Sequence, residues 1–534
     1  MTRFRMVQSL ALTGLVLATI PSAPAVEIEA LFLQGDVLPG ATSIPGHQAT
    51  DVVRRNGSAR ANINVRGDFV GTVHTKTGTF EAANNTIFYH FGSIGGTAPA
   101  ALRREAMLAG EYQNIFRPDV GIGPNGSTTY AAALNMGTLS GPSSLWQDDT
   151  LIYKEGDPIP AGPLSGKFFG GTVGSIFAAP DGEISWSMSY ADVANGPELG
   201  RALMRGVGAY DTLLKTGDSI GTLGTFGTSF TNPEFSYGGS KFIAGVTLTS
   251  GDDVMIINGQ PTNFSSGGAM VEGALIPAAA GGQTDDGTPT GTPIEEFRIG
   301  TNFAVNEAGD YAASAFTELT NDGDTNIDGD ILIYNGEILF REGDIIDGVV
   351  LDGQFEGLGL NDRGDLVFGW DDQLFIWNEQ MFPSGKLLVD NTTSLTLPDG
   401  GVGTVATLSV SQITVTNQVA AGGEGFPVVY FGGRVNPGNL TSLVRLAPAD
   451  ISTGDFNGDG VVDAADYTVW RDSLGSDFLL TADADGSGVI DIADYQIWKA
   501  NYGTPTPGQI TTTPEPSALL LVALASFALA LPRR

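Results

Sequence analysis

The chain has 534 residues and a formal net charge of -34 at pH 7, and it contains no cysteine. This length exceeds what one hydrophobic core usually supports, so we expect several modules or a repeat architecture. The acidic balance argues against nucleic acid or an anionic membrane surface as a partner, and the lack of cysteine excludes disulfides, cysteine-based zinc sites and a cysteine nucleophile.

Residues 1–25 have the features of a secretory signal peptide. Arg3 and Arg5 precede an apolar run over residues 10–20, and the small residues Ala23 and Ala25 follow it. A buried helix is the alternative, but a charged start, a short apolar core and a small-residue site occurring together favour a cleaved signal. We therefore expect the protein to be exported to the cell surface or the extracellular space.

Residues 27–449 consist of short, apolar, strand-like segments separated by Gly, Asn, Asp and Pro. A turn followed by an apolar strand recurs at intervals of about 60 residues. The residues that mark this turn are Gly67, Gly126, Gly182, Gly239, Gly309, Gly364 and Glu424. A second element, an apolar strand ending in Gly-Asp, lies between several of these turns, at Asp36, Asp157, Asp218 and Asp344.

Repeated units of about four strands predict a mainly β fold, a seven-bladed β-propeller-like repeat domain. The seventh unit lacks its Gly-Asp strand, and residues 30–36 supply an extra one, so we expect the N-terminal strand to complete the last blade. A pair of β-sandwiches is the alternative, and it accounts less well for the even spacing. The region resembles propeller-like regions of secreted bacterial proteins, a resemblance that implies no activity.

An acidic loop runs directly into one predicted strand at Ile331. Its oxygen-bearing side chains alternate along the chain and are Asp322, Asp324, Asn326, Asp328 and Asp330. The pattern resembles the calcium loops of integrin-type propeller blades, although Ile327 stands where such loops have Gly. Calcium binding and a merely solvated acidic loop are both compatible with this pattern.

Near the carboxyl end, one twelve-residue pattern is written twice. Each copy places oxygen-bearing side chains at positions one, three, five, nine and twelve with Gly at position six, the spacing at which a calcium loop surrounds its ion with oxygens. The first set of expected ligands is Asp455, Asn457, Asp459, Asp463 and Asp466, with the carbonyl of Val461. The second set is Asp483, Asp485, Ser487, Asp491 and Asp494, with the carbonyl of Val489. Two Asp/Gly-rich turns that bind nothing are the alternative.

Each loop is followed by one segment of helix length, residues 464–474 and 492–502, that ends at Gly475 or Gly503. A duplicated unit of one loop and one helix resembles a type I dockerin, and the resemblance covers residues 450–503. It implies a small α-helical module with two EF-hand-like loops that folds around two Ca²⁺ and binds a cohesin-like protein. The partner-binding positions implied by the resemblance are Ala464, Ala465, Arg471, Ile492, Ala493 and Lys499.

An aromatic and apolar stripe recurs in both helical segments at i, i+3 and i+7 spacing. Its members are Tyr467, Trp470 and Leu474 in the first and Tyr495, Trp498 and Tyr502 in the second. A binding stripe is one interpretation, but an amphipathic stripe normally faces inward, so we expect it to form the core of the module.

The C-terminal residues resemble a PEP-CTERM sorting signal. A linker over residues 504–513 leads to Pro514-Glu515-Pro516, an apolar run over residues 518–531 and two terminal arginines. The resemblance implies processing by an exosortase-type enzyme. The run is shorter than the roughly 17–25 residues of a spanning helix, which favours transient membrane contact before cleavage. A short permanent anchor is the alternative.

Catalytic motifs are not evident in the sequence. The three histidines, His47, His74 and His90, lie in no recognisable nucleophile context. We therefore expect a secreted or cell-surface non-catalytic binding protein that binds a glycan or a surface protein and is attached through its dockerin-like module. The alternative is an extracellular polysaccharide-degrading enzyme delivered by the same module, because two carboxylates suffice for glycoside hydrolysis.

Overall fold

The structure is a computed structural model. It describes residues 26–37, 51–56, 62–63, 69–77, 86–91, 100–104, 107–108, 111–114, 120–122, 128–134, 142–147, 150–179, 183–206, 209–277, 294–319, 329–419, 427–448, 454–456, 462–476, 482, 484 and 489–503. Strands dominate these residues up to Pro448, and two helices follow. The expected mainly β repeat region with a small helical module after it is confirmed at this level.

Antiparallel sheets follow one another along the chain, and strands adjacent in sequence are mostly adjacent in a sheet. Sheet one contains β2 (Asp51–Asn56), β3 (Asn62–Ile63), β4 (Phe69–Thr77), β5 (Thr86–Phe91) and β6 (Ala100–Arg104). Sheet two contains β7 (Met107–Leu108), β8 (Glu111–Asn114), β9 (Val120–Ile122), β10 (Thr128–Leu134), β11 (Ser143–Gln147) and β12 (Thr150–Lys154). Sheet three contains β13 (Phe168–Ala178), β14 (Ile184–Ala191), β15 (Glu198–Arg205) and β16 (Asp211–Lys215).

The later sheets follow the same order. Sheet four contains β17 (Ser219–Ile220), β18 (Gly224–Phe235), β19 (Phe242–Leu248), β20 (Asp253–Ile257) and β21 (Gln260–Pro261). Sheet five contains β22 (Leu275–Pro277), β23 (Ile294–Val305), β24 (Tyr311–Leu319), β25 (Gly329–Tyr334) and β26 (Glu337–Arg341). After a hairpin of β27 (Ile345–Ile346) and β28 (Val349–Val350), sheet six contains β29 (Phe355–Leu360), β30 (Leu366–Trp370), β31 (Gln373–Asn378) and β32 (Phe382–Val389).

The last sheet brings the two ends of the repeat region together. It contains β1 (Val26–Leu33), β33 (Ser394–Thr396), β34 (Val402–Val419), β35 (Pro427–Asn436) and β36 (Leu440–Pro448). Strand β1 pairs antiparallel with β36, with Val26 opposite Pro448, and parallel with β33. The expected place of the N-terminal strand is therefore confirmed, but this sheet closes on itself as a barrel instead of remaining an open blade.

Apolar side chains are buried between consecutive sheets, so the region has a series of cores. One cluster joins Leu203 of sheet three to Ile220 and Phe226 of sheet four. Others lie between sheets two and three, four and five, five and six, and six and the barrel. In β30, Leu366 and Phe368 face sheet five whereas Val367 faces the barrel. Burial on both faces in chain order fits a propeller-like arrangement better than separate sandwiches, each with one core.

The Gly-Asp elements connect successive sheets. The aspartate accepts a hydrogen bond from the backbone N–H three residues earlier, at 2.7 to 2.9 Å, in Asp36, Asp157, Asp218 and Asp344. The preceding glycine has positive φ in every case, which explains the choice of residue. The N–H of Gly156 then donates to the carbonyl of Phe169 in sheet three at 2.8 Å, and the N–H of Phe169 donates back to Asp157 at 2.9 Å. The same reciprocal pair recurs at Gly217 with Phe226 and at Gly343 with Leu351.

The recurring turns also contact one another across sheets. Asn306 follows β23 and donates through Nδ2 to the carbonyl of Asn361, and Asn361 donates to the carbonyl of Thr416 at 2.9 Å. One residue further along, the N–H of Glu307 donates to the carboxylate of Asp362 at 2.8 Å. The repeated turn is therefore a polar connection between neighbouring sheets. The turns marked by Gly67, Gly126, Gly182 and Glu424 lie outside the described residues.

Candidate calcium-binding module

Two short helices with the same capping structure follow the predicted calcium loops. They are α1 (Ala464–Ser473) and α2 (Ile492–Asn501). The predicted helices are confirmed, each ending one residue earlier than expected, and Gly475 and Gly503 both have φ of 82°. The N-cap residues are Asp463 and Asp491, the ninth positions of the two loops.

The twelfth position of each loop closes a capping box. Asp466 accepts a hydrogen bond from the N–H of Asp463 at 2.7 Å, and Asp494 accepts one from the N–H of Asp491 at the same distance. In return, Asp463 and Asp491 accept backbone hydrogen bonds from the first turn of their helices. Four of the predicted calcium ligands therefore also begin the helices, a role that satisfies backbone N–H groups which would otherwise lack partners.

Several of the predicted calcium ligands are buried. Asp466 and Asp494 are fully buried, and Asp455 is 4% exposed. Burying a carboxylate is costly unless opposite charge or hydrogen bonds compensate for lost hydration. An all-oxygen donor set with buried carboxylates fits Ca²⁺, a hard cation that prefers oxygen ligands. The residues present therefore fit the ion that the loop spacing implies.

Of the remaining predicted ligands, some lie within the described residues and others do not. Asp463 is half-buried, Asp491 is exposed, and Val489 is 40% exposed. The others, Asn457, Asp459, Val461, Asp483, Asp485 and Ser487, lie outside the described residues. Within the described parts of the two loops, no three acidic, histidine or cysteine side chains are grouped closely enough to hold a metal.

Reciprocal hydrogen bonds join the two halves of the module. The indole Nε1 of Trp470 in α1 donates to the carbonyl of Asp491 at 2.7 Å, and Nε1 of Trp498 in α2 donates to the carbonyl of Asp463 at 2.8 Å. Beyond the helices, Gly475 donates to the carbonyl of Ile490 at 2.8 Å. In the other half, the N–H of Gly503 donates to the carbonyl at position 462 at 2.7 Å. Each helix thus supports the loop of the other, and the halves are related by an approximate two-fold symmetry.

The aromatic stripe forms the core of this module, as expected. Trp470 is 8% exposed, and it packs with the buried residues Phe456, Ala482 and Ile490. Tyr467, Tyr495 and Trp498 lie against this cluster, with the rings of Trp470 and Tyr495 5.0 Å apart. The expectation is wrong for the last stripe positions: Leu474 and Tyr502 are each 54% exposed, because they cap the ends of the helices beyond the last turn.

The positions implied in partner binding lie on the outside of the module. Ala464, Ala465 and Arg471 of α1 are exposed. In α2, Ile492 and Lys499 are exposed and Ala493 is half-buried. None of these residues belongs to the module's core cluster. They are therefore available for contact with another molecule.

The acidic loop of the repeat region can be described only at its last residue. Asp330 is 7% exposed, and it accepts a hydrogen bond from the N–H of Phe355 in sheet six at 2.5 Å. Burial raises the pKa of Asp330, and burial likewise raises the pKa of the neighbouring Glu342. Asp330 thus joins two sheets, whereas Asp322, Asp324, Asn326 and Asp328 lie outside the described residues.

Another perturbed carboxyl group was not predicted from the sequence. Burial, followed by the negative charge of Asp372, raises the pKa of Glu356 to about 7. Asp371 and Asp372 form the turn between β30 and β31, and both have positive φ. No local motif marks Glu356, because the acidic turn of Asp371 and Asp372 lies about 15 residues later in the chain and comes close to Glu356 only when the strands of this sheet pair.

The proposed targeting segments fall outside the described residues, which begin at residue 26 and stop at residue 503. Within the described ranges, no helix combines the length and apolar character needed to cross a bilayer.

Comparison with known proteins identifies similarity at the C-terminal module. The model of the dockerin type I domain matches residues 453–501. No curated protein matches the chain. Among solved structures, the chain is similar to a polysaccharide lyase, Uly1, at 12% identity, covering 80% of this chain and 100% of that chain with a TM-score of 0.36.

Two further solved structures have similarly low scores. An α-L-arabinanase from Penicillium chrysogenum, in complex with arabinobiose, is 13% identical and has a TM-score of 0.31, with 80% of this chain and 99% of that chain covered. TolB from Acinetobacter baumannii is 13% identical and has a TM-score of 0.27, with 53% of this chain and 52% of that chain covered. The similarity that bears on function is therefore confined to residues 453–501, where the chain is similar to dockerin type I domains.

Proposed function

We propose that this protein is an exported, non-catalytic binding protein that attaches to a cohesin-like partner through a calcium-dependent docking module, residues 450–503. The observation that carries the proposal is the duplicated loop-and-helix unit, whose halves support each other through Trp470 and Trp498. The match to the dockerin type I domain supports the partner class. Two Ca²⁺, one for each loop, would supply positive charge beside the buried carboxylates and so order the module.

Binding of the full chain to immobilised cohesin domains tests this function directly. Biolayer interferometry should detect binding in calcium and none after exchange into a chelator. Restored binding on return to calcium would distinguish a calcium requirement from irreversible damage. Equal binding with and without the ion, or no binding to any member of a cohesin panel, would contradict the proposal.

For residues 27–449 we propose a seven-bladed propeller-like ring that binds a glycan or a surface protein. The supporting observation is the burial of apolar side chains between consecutive sheets, with both ends of the region in the last sheet. Incubation of the full chain with a polysaccharide panel should give binding without release of reducing ends. Release above background would instead indicate the enzymatic function.

We also propose that processing removes the two terminal segments. Residues 1–25 would be cleaved as a signal peptide, and the PEP-CTERM-like tail would be cleaved by an exosortase-type enzyme after transient membrane contact. Intact-mass analysis of protein from its native host should lack residues 518–534. Recovery of the full C-terminal sequence would contradict this part of the proposal.

A further inference from the structure

From sheet three onward, one long strand of each sheet contacts the corresponding strand of the next sheet. These inner strands are β13, β18, β23, β29 and β34. Each pairs along most of its length with one neighbour only, and pairing on its other edge, where it occurs, is confined to the first residues of the strand. Consecutive sheets therefore present a row of strand edges with which no other described strand pairs.

Every one of these inner strands is interrupted by a bulge. In sheets three, four and five, three residues lie opposite a single residue of the next strand: 170–172, 227–229 and 300–302. Sheet six has one extra residue, Glu356, and the barrel has residues 409–412 in this position. Bulges re-aim side chains and are over-represented next to active sites. Their recurrence in five consecutive sheets indicates a role that these sheets share.

Hydroxyl groups of the next strand hold two of the bulges in place. Ser189 accepts a hydrogen bond from the N–H of Thr172 at 3.0 Å, and Ser314 accepts one from the N–H of Asn302 at 3.2 Å. Both serines are buried. The first bulge residue is glycine in sheets three, four and five, and at Gly300 a Cβ would clash with Ser314. These two bulges are thus fixed by contacts within their own sheets.

Bulge side chains reach solvent, whereas their neighbours in the strand do not. Thr228, Ser229 and Thr301 are exposed. In β23, Phe303 packs in the core shared with sheet four and Ala304 in the core shared with sheet six, so both faces of the strand are covered. An exposed residue of such a strand can project only from its uncovered edge. Because β18 and β23 contact each other, their exposed bulge residues belong to one surface.

The side chains of this surface are suited to a neutral, hydroxylated ligand. Sheets three to five contribute hydroxyl groups and one amide, from Thr172, Thr228, Ser229, Thr301 and Asn302, and Glu356 adds a carboxyl group. The bulges of sheets three to six contain no Lys or Arg that would bind an anion, and no large apolar side chain that would bind an apolar ligand. Hydroxyl and amide groups both donate and accept hydrogen bonds, as the hydroxyl groups of a sugar do.

We infer that the bulged edges of the inner strands in sheets three to six form one binding site for an uncharged glycan. This inference rests on the proposed glycan-binding function of the repeat region and adds the location of the site and the neutral character of the ligand. The exposed bulge residues of sheets four and five contact the sugar directly. A polymer of uronic acids binds less well, because it meets Glu356 and a chain of net charge -34.

Isothermal titration calorimetry of the full chain tests the class of ligand. The probes are oligosaccharides of glucose, xylose and mannose, with oligogalacturonate as the anionic comparison. We expect at least one neutral oligosaccharide to bind about tenfold or more tightly than oligogalacturonate. Equal or tighter binding of oligogalacturonate would contradict the neutral ligand.

A matched pair of variants in sheet four tests the location. Ser229→Trp places an indole in the bulge, whereas Ser250→Trp places it in the exposed turn between β19 and β20. Both serines are exposed, so both variants should retain the circular dichroism spectrum and thermal unfolding midpoint of the parent. For the neutral oligosaccharide that binds the parent most tightly, we expect Ser229→Trp to raise Kd about tenfold or more, because the indole fills space that the sugar occupies, and Ser250→Trp to change Kd by less than about threefold.

Thr301→Trp tests the same surface from sheet five and should behave as Ser229→Trp does. Equal Kd values for the bulge variants and Ser250→Trp would overturn the location while leaving glycan binding intact. If the parent chain bound a surface protein but none of the oligosaccharides, the glycan inference would fail and the binding function of the repeat region would stand. Binding of neither class of ligand would overturn both.

Discussion

Replacing Asp494 by Asn separates the two roles that the structure gives to this residue. Asp494 is fully buried, caps the N–H of Asp491 at 2.7 Å and occupies the twelfth position of the second loop. The amide oxygen of Asn can still accept the capping hydrogen bond, so we expect the helix start to be preserved. The negative charge and one carboxylate oxygen are lost, and these are the features that a bound Ca²⁺ would use.

The expected magnitudes follow from these contacts. Loss of a carboxylate that binds the metal should weaken calcium affinity at the second loop by at least about tenfold. Even mutation of residues that only hydrogen-bond to metal ligands lowers metal affinity by about 10- to 100-fold. At saturating calcium, a tenfold weaker Kd lowers the free energy of unfolding of the module by about 1.4 kcal/mol. Without calcium, Asp494→Asn should be at least as stable as the parent, because a buried negative charge is removed, whereas Asp494→Ala should lose about 1 kcal/mol of capping.

Calcium titration calorimetry and thermal unfolding of the full chain measure both quantities. Asp472→Asn is the matched control, because it removes an exposed carboxylate from α1 that belongs to neither loop. The control should titrate as the parent does. Parental calcium affinity in Asp494→Asn would refute the assignment of the twelfth position as a ligand, and a large loss of stability without calcium would show that the charge itself supports the cap.

Three further predictions concern stability. Burial raises the pKa of Glu356 from 4.5 to about 7. The protonated side chain therefore stabilises the folded state fully below pH 4.5, and this contribution is lost as the pH rises through about 7. After allowing for solvent screening, we expect chemical denaturation to show Glu356→Gln about 1–2 kcal/mol more stable than the parent at pH 8 and similar to it at pH 4.5. Asn361→Ala removes buried hydrogen bonds to Asp365 and Thr416 and should cost about 2–4 kcal/mol in the same assay. Trp498→Phe retains the ring but loses its hydrogen bond to the opposite half of the module, and should cost about 1–2 kcal/mol in thermal unfolding of the module with calcium present.

Each of these predictions has a result that contradicts it. A constant difference between Glu356→Gln and the parent from pH 4.5 to 8 would show that burial does not control its protonation. An Asn361→Ala variant as stable as the parent would mean that water replaces the connection between turns. If Trp498→Phe left calcium-dependent unfolding unchanged, the two halves would not depend on each other through this bond.

The docking module was largely predictable because its information is local. Twelve-residue spacing, helix length, the glycines after each helix and an inward aromatic stripe can all be read from neighbouring positions. The bond from Trp470 to the N-cap of the other helix could not be predicted, because its acceptor lies 21 residues away and depends on how the halves pack. The exposure of Leu474 and Tyr502 was not predicted for a related reason. A residue at position i+7 lies on the same helical face only if the helix extends that far, and both helices end one residue earlier.

In the repeat region, the sequence showed that motifs recur but not which contacts they make. The Gly-Asp elements were recognised as strand ends, and the structure adds that those at Gly156 and Gly217 form reciprocal hydrogen bonds with the next sheet. The connection from Asn306 to Asn361 and on to Thr416 repeats every 55 residues in the chain. Its donors and acceptors become neighbours only when sheets pack in order, so no short window of sequence contains them.

The sequence by itself determined where the chain turns, where the two helices begin and end, and which oxygen-bearing residues stand at calcium-loop spacing. These features depend on backbone geometry and hydrogen bonds within a few residues. The tertiary structure decided which faces of each strand are buried, that the last sheet closes with β1, and that Ile492 stands exposed while Trp470 is enclosed. Those outcomes depend on which surfaces meet across long separations in the chain, because burial is a property of the packed neighbours and not of the residue alone.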